Sequence, residues 1–134
     1  MKVISVEQFL SADKKVQNEI MKWWEPQMMD LYVPLDGDPT VICRQRQLDA
    51  VRRLKNEVNI PLLTVGQLID FVEEKTGFYL GIEFDADRCG YEFDLGEFDG
   101  KYRTPYVILL NALWDLAQYI CCLLYTSPSP RDTR

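Results

Sequence analysis

The chain has 134 residues, a formal net charge of −6 and no histidine, with 47% hydrophobic and 27% charged side chains. That balance is globular rather than disordered, and an acidic chain repels the phosphates through which most nucleic-acid binding is driven. The missing histidines remove the commonest metal ligand and neutral-pH base, and no apolar run approaches the ~20 residues that span a bilayer.

Ser5 and Gln8 have capping-box spacing, with Ile4 and Phe9 placed for the hydrophobic staple. Phe9, Val16, Ile20, Trp23 and Trp24 recur at helical period, Ser11 and Asp13 allow a split into two helices, and Pro26 ends the segment. Met1-Lys2-Val3-Ile4 runs into this charged helix without a signal-peptide pattern, so a reducing cytoplasm is the expected compartment. Leu31-Tyr32-Val33 reads as a short strand and Asp36-Gly37-Asp38 as a turn. Arg44 to Lys55 is an amphipathic helix with Leu48, Val51, Leu54 and Val58 on one side, and Pro61 closes the connection after it. Thr64 and Gln67 repeat the capping box before a helix that carries Leu68, Phe71 and Val72 and stops at Gly77.

From Phe78 to Phe98 the period becomes two, which predicts a hairpin near 79–95. Thr104 and Pro105 look like the cap and first residue of a last helix over 105–120. Only Asn111, Asp115 and Gln118 are strongly polar there, so the helix is either central to the fold or a homo-oligomer interface. The predicted fold is α+β, with about four helices on one face of a small antiparallel sheet. Residues 1–120 are expected to form a single globular domain, with Phe9, Val16, Ile20, Leu48, Leu68, Phe71, Ile82, Phe84, Leu113 and Trp114 in its core.

Residues 121–134 are Ser/Pro-rich and aperiodic, which predicts a disordered tail. The run Cys122-Leu-Leu-Tyr-Thr-Ser-Pro-Ser-Pro-Arg-Asp132 resembles a translated sequencing adapter, which implies a non-native tail and a native C-terminus missing beyond about residue 120.

The conspicuous chemistry is acidic. Glu83, Asp85, Asp87, Glu92 and Asp94 lie on the hairpin, with Glu97 and Asp99 beyond it and Arg88 the one base among them. Asp85-x-Asp87-x-x-Gly90 imitates the start of a calcium loop, but its fifth position is Cys89 and its twelfth is Gly96, where a bidentate Glu is needed. Strand alternation that turns Leu80, Ile82 and Phe84 inward turns the acids toward water. They are therefore assigned as a partner-binding acidic face, with no catalytic, cofactor-binding or metal residues. A small hydrolase using the hairpin carboxylates and a nucleic-acid-binding regulator using the 44–55 helix are the alternatives. Cys43 and Cys89 stand alone in no C-x-x-C pair, and no histidine is present to activate them.

Met1-Lys2-Val3-Ile4-Ser5-Val6-Glu7-Gln8-Phe9-Leu10, Trp23-Trp24, Ile60-Pro61-Leu62-Leu63-Thr64-Val65-Gly66-Gln67-Leu68-Ile69 and Ala112-Leu113-Trp114 together span most of the chain. In these segments the chain resembles small uncharacterised proteins of tailed phages and prophages of Gram-positive gut bacteria. The resemblance implies a phage origin and brings no site residues or cofactor with it. With no catalytic constellation, the expected role is that of a non-catalytic accessory protein, binding a host or phage protein in the host cytoplasm.

Overall fold

The first capping box forms as its spacing demands: the Gln8 amide donates to Ser5 Oγ at 3.0 Å and the Ser5 amide to Gln8 Oε1 at 2.8 Å. It starts α1 (Val6–Ser11), and Ile4 and Phe9 close the staple as buried residues. The helix stops at Ala12, whose carbonyl accepts from Gln17 Nε2 at 2.9 Å, and α2 (Lys14–Trp23) restarts after Asp13. The computed structural model describes residues 2–34 and 37–126, the side chains of 55–58 and 125–126 apart. Asp36 of the predicted turn, and Lys55 and Val58 as side chains of the basic helix, therefore lie outside the described residues.

The class is α+β, with five helices and two three-stranded antiparallel sheets among the described residues. The described residues divide into two compact units, Val3–Thr64 and the part from Val65 onward.

In the first unit β1 (Leu31–Val33) is central, flanked by β2 (Thr40–Val41) and β3 (Ile60–Leu62), with α3 (Gln45–Val58) between the two flanking strands in sequence. Pro61 does not close a connection: it sits inside β3 opposite Tyr32. Proline lacks a donor but is tolerated on an edge strand, which β3 is. Gln47 ties α3 to the sheet by donating to the Val41 carbonyl at 3.0 Å and to the Tyr32 hydroxyl at 3.2 Å. Phe9, Val16, Ile20, Trp24, Leu48 and Leu63 are buried in this unit.

The second unit begins with α4 (Val65–Thr76), which ends at Gly77 in the left-handed conformation that glycine adopts without a Cβ penalty, at φ 81°. β4 (Gly81–Asp85) and β5 (Gly90–Asp94) form the predicted hairpin, and β6 (Lys101–Arg103) adds to the other side of β5. The last helix, α5 (Leu109–Thr126), packs against α4 and β5. It is the central helix of this unit: Leu110, Ala112, Leu113, Trp114, Leu116, Ala117, Ile120 and Cys121 are all buried.

Two boundaries of α5 differ from expectation. It starts at Leu109, and Thr104 instead extends the sheet: both its amide (2.9 Å) and its hydroxyl (3.1 Å) donate to the Tyr91 carbonyl. The same hydroxyl accepts from the Tyr106 amide at 3.4 Å, as a cap would, but the backbone does not turn helical until Leu109. At the other end, residues 121–126 are helical rather than disordered, since Cys121 continues the buried stripe and Leu123 and Leu124 are good helix formers. Residues 127–134 of the expected tail lie outside the described residues.

Two of the ten expected core residues are not in the core. Ile82 is 38% exposed and Phe84 46%, although the hairpin register puts them opposite Phe93 and Tyr91. Alternation places them on the correct face, but β4 is the edge strand and α5 packs on β5.

Candidate functional site

Pairing in the second sheet sorts its side chains by face. Glu83 lies opposite Glu92, which lies opposite Arg103; Gly81 lies opposite Asp94, which lies opposite Lys101. These residues share one face with Asp85, while Ile82, Phe84, Tyr91, Phe93 and Tyr102 share the other. Phe84 meets Tyr91 edge-on at 5.1 Å, and the Tyr102 and Tyr119 rings stack at 4.1 Å, which docks β6 on α5.

The five acids of the expected partner-binding face do not act as one set. Glu92 is held between two cations, with Arg103 Nε at 3.5 Å and Lys101 Nζ at 4.0 Å, and only 12% of its side chain is exposed. Its Oε2 atom is buried and accepts no hydrogen bond among the described residues, so these ion pairs are what offset its desolvation. Asp85 Oδ1 accepts from the amides of Asp87 (3.1 Å) and Arg88 (3.3 Å), an Asx turn that closes the hairpin loop, and Arg88 Nε lies 3.7 Å from Oδ2. Asp94 Oδ1 accepts from the Gly96 amide at 2.9 Å, opening the next turn. Glu83 and Asp87 remain. Both are exposed, and neither side chain has an ion pair or hydrogen bond among the described residues.

The sequence reading thus found the acids and missed their neutralisation. Arg88 was the one base in view, whereas β6 brings Lys101 and Arg103 onto the same face. The missed signal was the alternation of Lys101-Tyr102-Arg103, two bases around an aromatic, too short to stand out as a strand. The calcium-like stretch forms the hairpin loop itself. Asp85 accepts from two amides of the loop backbone, strands flank the loop, and no group of three or more acids or cysteines among the described residues is placed to hold a metal.

Glu83 and Glu92 do line a common depression of about 270 Å³, with Gly81, Ile82, Asp94 and Lys101. It is open, one carboxylate is exposed and the other is paired with cations, so the two are not set up as a desolvated acid–base pair.

On the opposite face of the sheet lies the most strongly perturbed group among the described residues. Burial, reinforced by the hydrogen bond to Asp115 Oδ2 (2.9 Å) and that carboxylate's charge, pushes the Tyr102 hydroxyl far above its ordinary value of 10.0. Tyr119 is raised in the same direction, chiefly by its hydrogen bond to Asp99. The fold therefore favours the protonated phenols: their contribution is complete below about pH 10 and is lost as pH rises through the folded-state values. The denaturation midpoint is expected to fall above about pH 10, and less steeply in Tyr102→Phe. Parallel profiles for the two proteins would show that Tyr102 does not contribute to this fall.

Trp23-Trp24 and Trp114 are not a stacking platform: Trp24 and Trp114 are buried and Trp23 is half-buried. Arg44, the residue before α3, and Arg46, Arg52 and Arg53 on it are exposed, and Arg52 Nε donates to the Pro26 carbonyl at 3.1 Å. Cys43 and Cys89 are exposed free thiols. Cys89 sits in the left-handed region at φ 53° in the hairpin loop, a conformation uncommon for a residue with a Cβ. Among the described residues no helix is long and apolar enough to cross a membrane. No family model, curated protein or solved structure matches the chain.

Proposed function

We propose that the chain is a non-catalytic accessory protein of a tailed phage, which binds a basic partner protein in the host cytoplasm through the β4–β5 hairpin. One observation carries the binding part of this reading: Glu83 and Asp87 are exposed and unengaged, while the other three hairpin acids hold the sheet and its turns together. A charge without an internal role costs nothing to redirect, and an acidic chain of net charge −6 attracts basic partners at long range. Phage origin and compartment rest on the sequence resemblance and the cysteine pattern.

The test is capture from host lysate at low and high salt, with wild type against Glu83→Gln/Asp87→Asn. A specific partner that is lost on adding salt and lost in the double variant is the expected result, since screening weakens exposed pairs. No specific salt-sensitive partner, or one that the double variant retains, contradicts the reading.

The hydrolase reading is favoured by the depression that Glu83 and Glu92 share, and opposed by the cations that hold Glu92. A nucleic-acid regulator acting through the exposed arginines of α3 would shift nucleic acid in gels at low salt, where a flat titration is expected.

A further inference from the structure

An edge strand exposes a row of unpaired amides and carbonyls, and proteins blunt such edges with shortness, proline or lysine. Three of the four edges here are treated in that way. β2 has two residues, β3 contains Pro61, and β6 has three residues, of which two are Lys101 and Arg103. β4 is different: five residues, Gly-Ile-Glu-Phe-Asp, with no proline and no base, and no strand among the described residues on its second edge. On one face Ile82 and Phe84 are 38% and 46% exposed, and on the other Glu83 is exposed without an ion pair among the described residues.

We propose that the free edge of β4 accepts an extended segment of another protein as a fourth strand, and that this segment alternates apolar and basic residues. The inference rests on the reading of the hairpin as a protein-binding surface and specifies what that surface takes. Because strands have a period of two, a segment laid along β4 sets one half of its side chains beside Ile82 and Phe84 and the other half beside Glu83. Apolar residues in the first half cover the exposed Ile82 and Phe84. Basic residues in the second give Glu83 the opposite charge that its direct neighbour Glu92 cannot. Main-chain hydrogen bonds would supply affinity and the alternation specificity.

A second copy of the chain fits badly. An antiparallel pairing of two β4 edges centred on Glu83 sets Glu83 against Glu83, and like charges directly opposite destabilise a ladder. The acid that admits a basic strand thus also guards the edge against self-association.

The full chain, isotope-labelled, is titrated with a synthetic peptide of about eight residues alternating valine and lysine, with a scrambled peptide of the same composition, and with two copies N-methylated along one edge or the other. The alternating peptide is expected to shift the amides of Gly81–Asp85 and to bind about tenfold tighter than the scrambled one; methylation of one edge, but not the other, should remove that advantage. Glu83→Lys should weaken the alternating peptide specifically. Equal binding by the scrambled and both methylated peptides overturns strand addition and leaves a merely electrostatic acidic surface. Shifts that map away from β4, or a dimer in sedimentation that Glu83→Lys alters, also overturn it. If no peptide binds, strand addition is overturned, and the salt-dependent capture described above decides the wider reading by itself.

Discussion

Trp24→Ala is expected to lower the stability of the first unit by about 3–5 kcal/mol, the range for removing a large aromatic side chain from a core. Trp24 is 1% exposed, and its indole Nε1 donates to Asp30 Oδ2 at 3.1 Å. The same carboxylate oxygen accepts from the Gln27 amide at 3.0 Å, so the indole helps fix the chain between α2 and β1. Truncation opens a cavity and removes a donor from a half-buried carboxylate. Since whole domains are stable by only about 5–15 kcal/mol, a loss of this size should appear as a lower denaturant midpoint and partial unfolding at moderate temperature. Trp24→Phe keeps most of the volume and should lose much less. Equal losses in the two variants would mean that the hydrogen bond, and not the packing, dominates.

Gly90→Ala is the second large effect, at about 3 kcal/mol, the upper part of the range for overpacking. Gly90 is buried at the start of β5, and a Cβ there would collide with the backbone carbonyl of Thr104. A flexible side chain could move aside, but a backbone carbonyl moves only with its strand. Thr104 donates twice to the Tyr91 carbonyl, so displacing it disturbs the link between β5 and the segment that leaves β6. That link holds Arg103 opposite Glu92. Besides the lower melting temperature, the amides of Tyr91, Thr104 and Tyr106 should lose exchange protection first in Gly90→Ala. A melting temperature like that of wild type would show that the two segments can part freely.

The legible parts of the fold were those encoded locally. The Ser5–Gln8 box, the break at Asp13, the stop at Gly77 and the β4–β5 hairpin each need only neighbouring residues, and each stands where the pattern puts it. The α+β class follows from the change of period at residue 78. Parts that depend on distant partners were not legible. β2, β3 and β6 have two or three residues each, too few to show alternation, and exist because β1 and β5 offer them edges. Thr104-Pro105 has the composition of a helix start, yet Tyr91, thirteen positions away, claims the threonine. The division into two units leaves no mark in composition. At the candidate site the sequence located the five acids but not their division of labour. Glu92 differs from Glu83 only through cations that pairing with β6 delivers.

That division is the central claim, and comparing the unfolding free energies of Glu83→Gln and Glu92→Gln tests it most directly. Glu92→Gln leaves Arg103 and Lys101 without their partner and should cost about 1 kcal/mol, a modest loss because both bases are more than half exposed. Glu83→Gln removes a like charge from the position opposite Glu92 and should lie within about 0.5 kcal/mol of wild type or slightly above it. A loss at Glu83 equal to or larger than that at Glu92 would make Glu83 part of the scaffold and contradict its assignment to a partner.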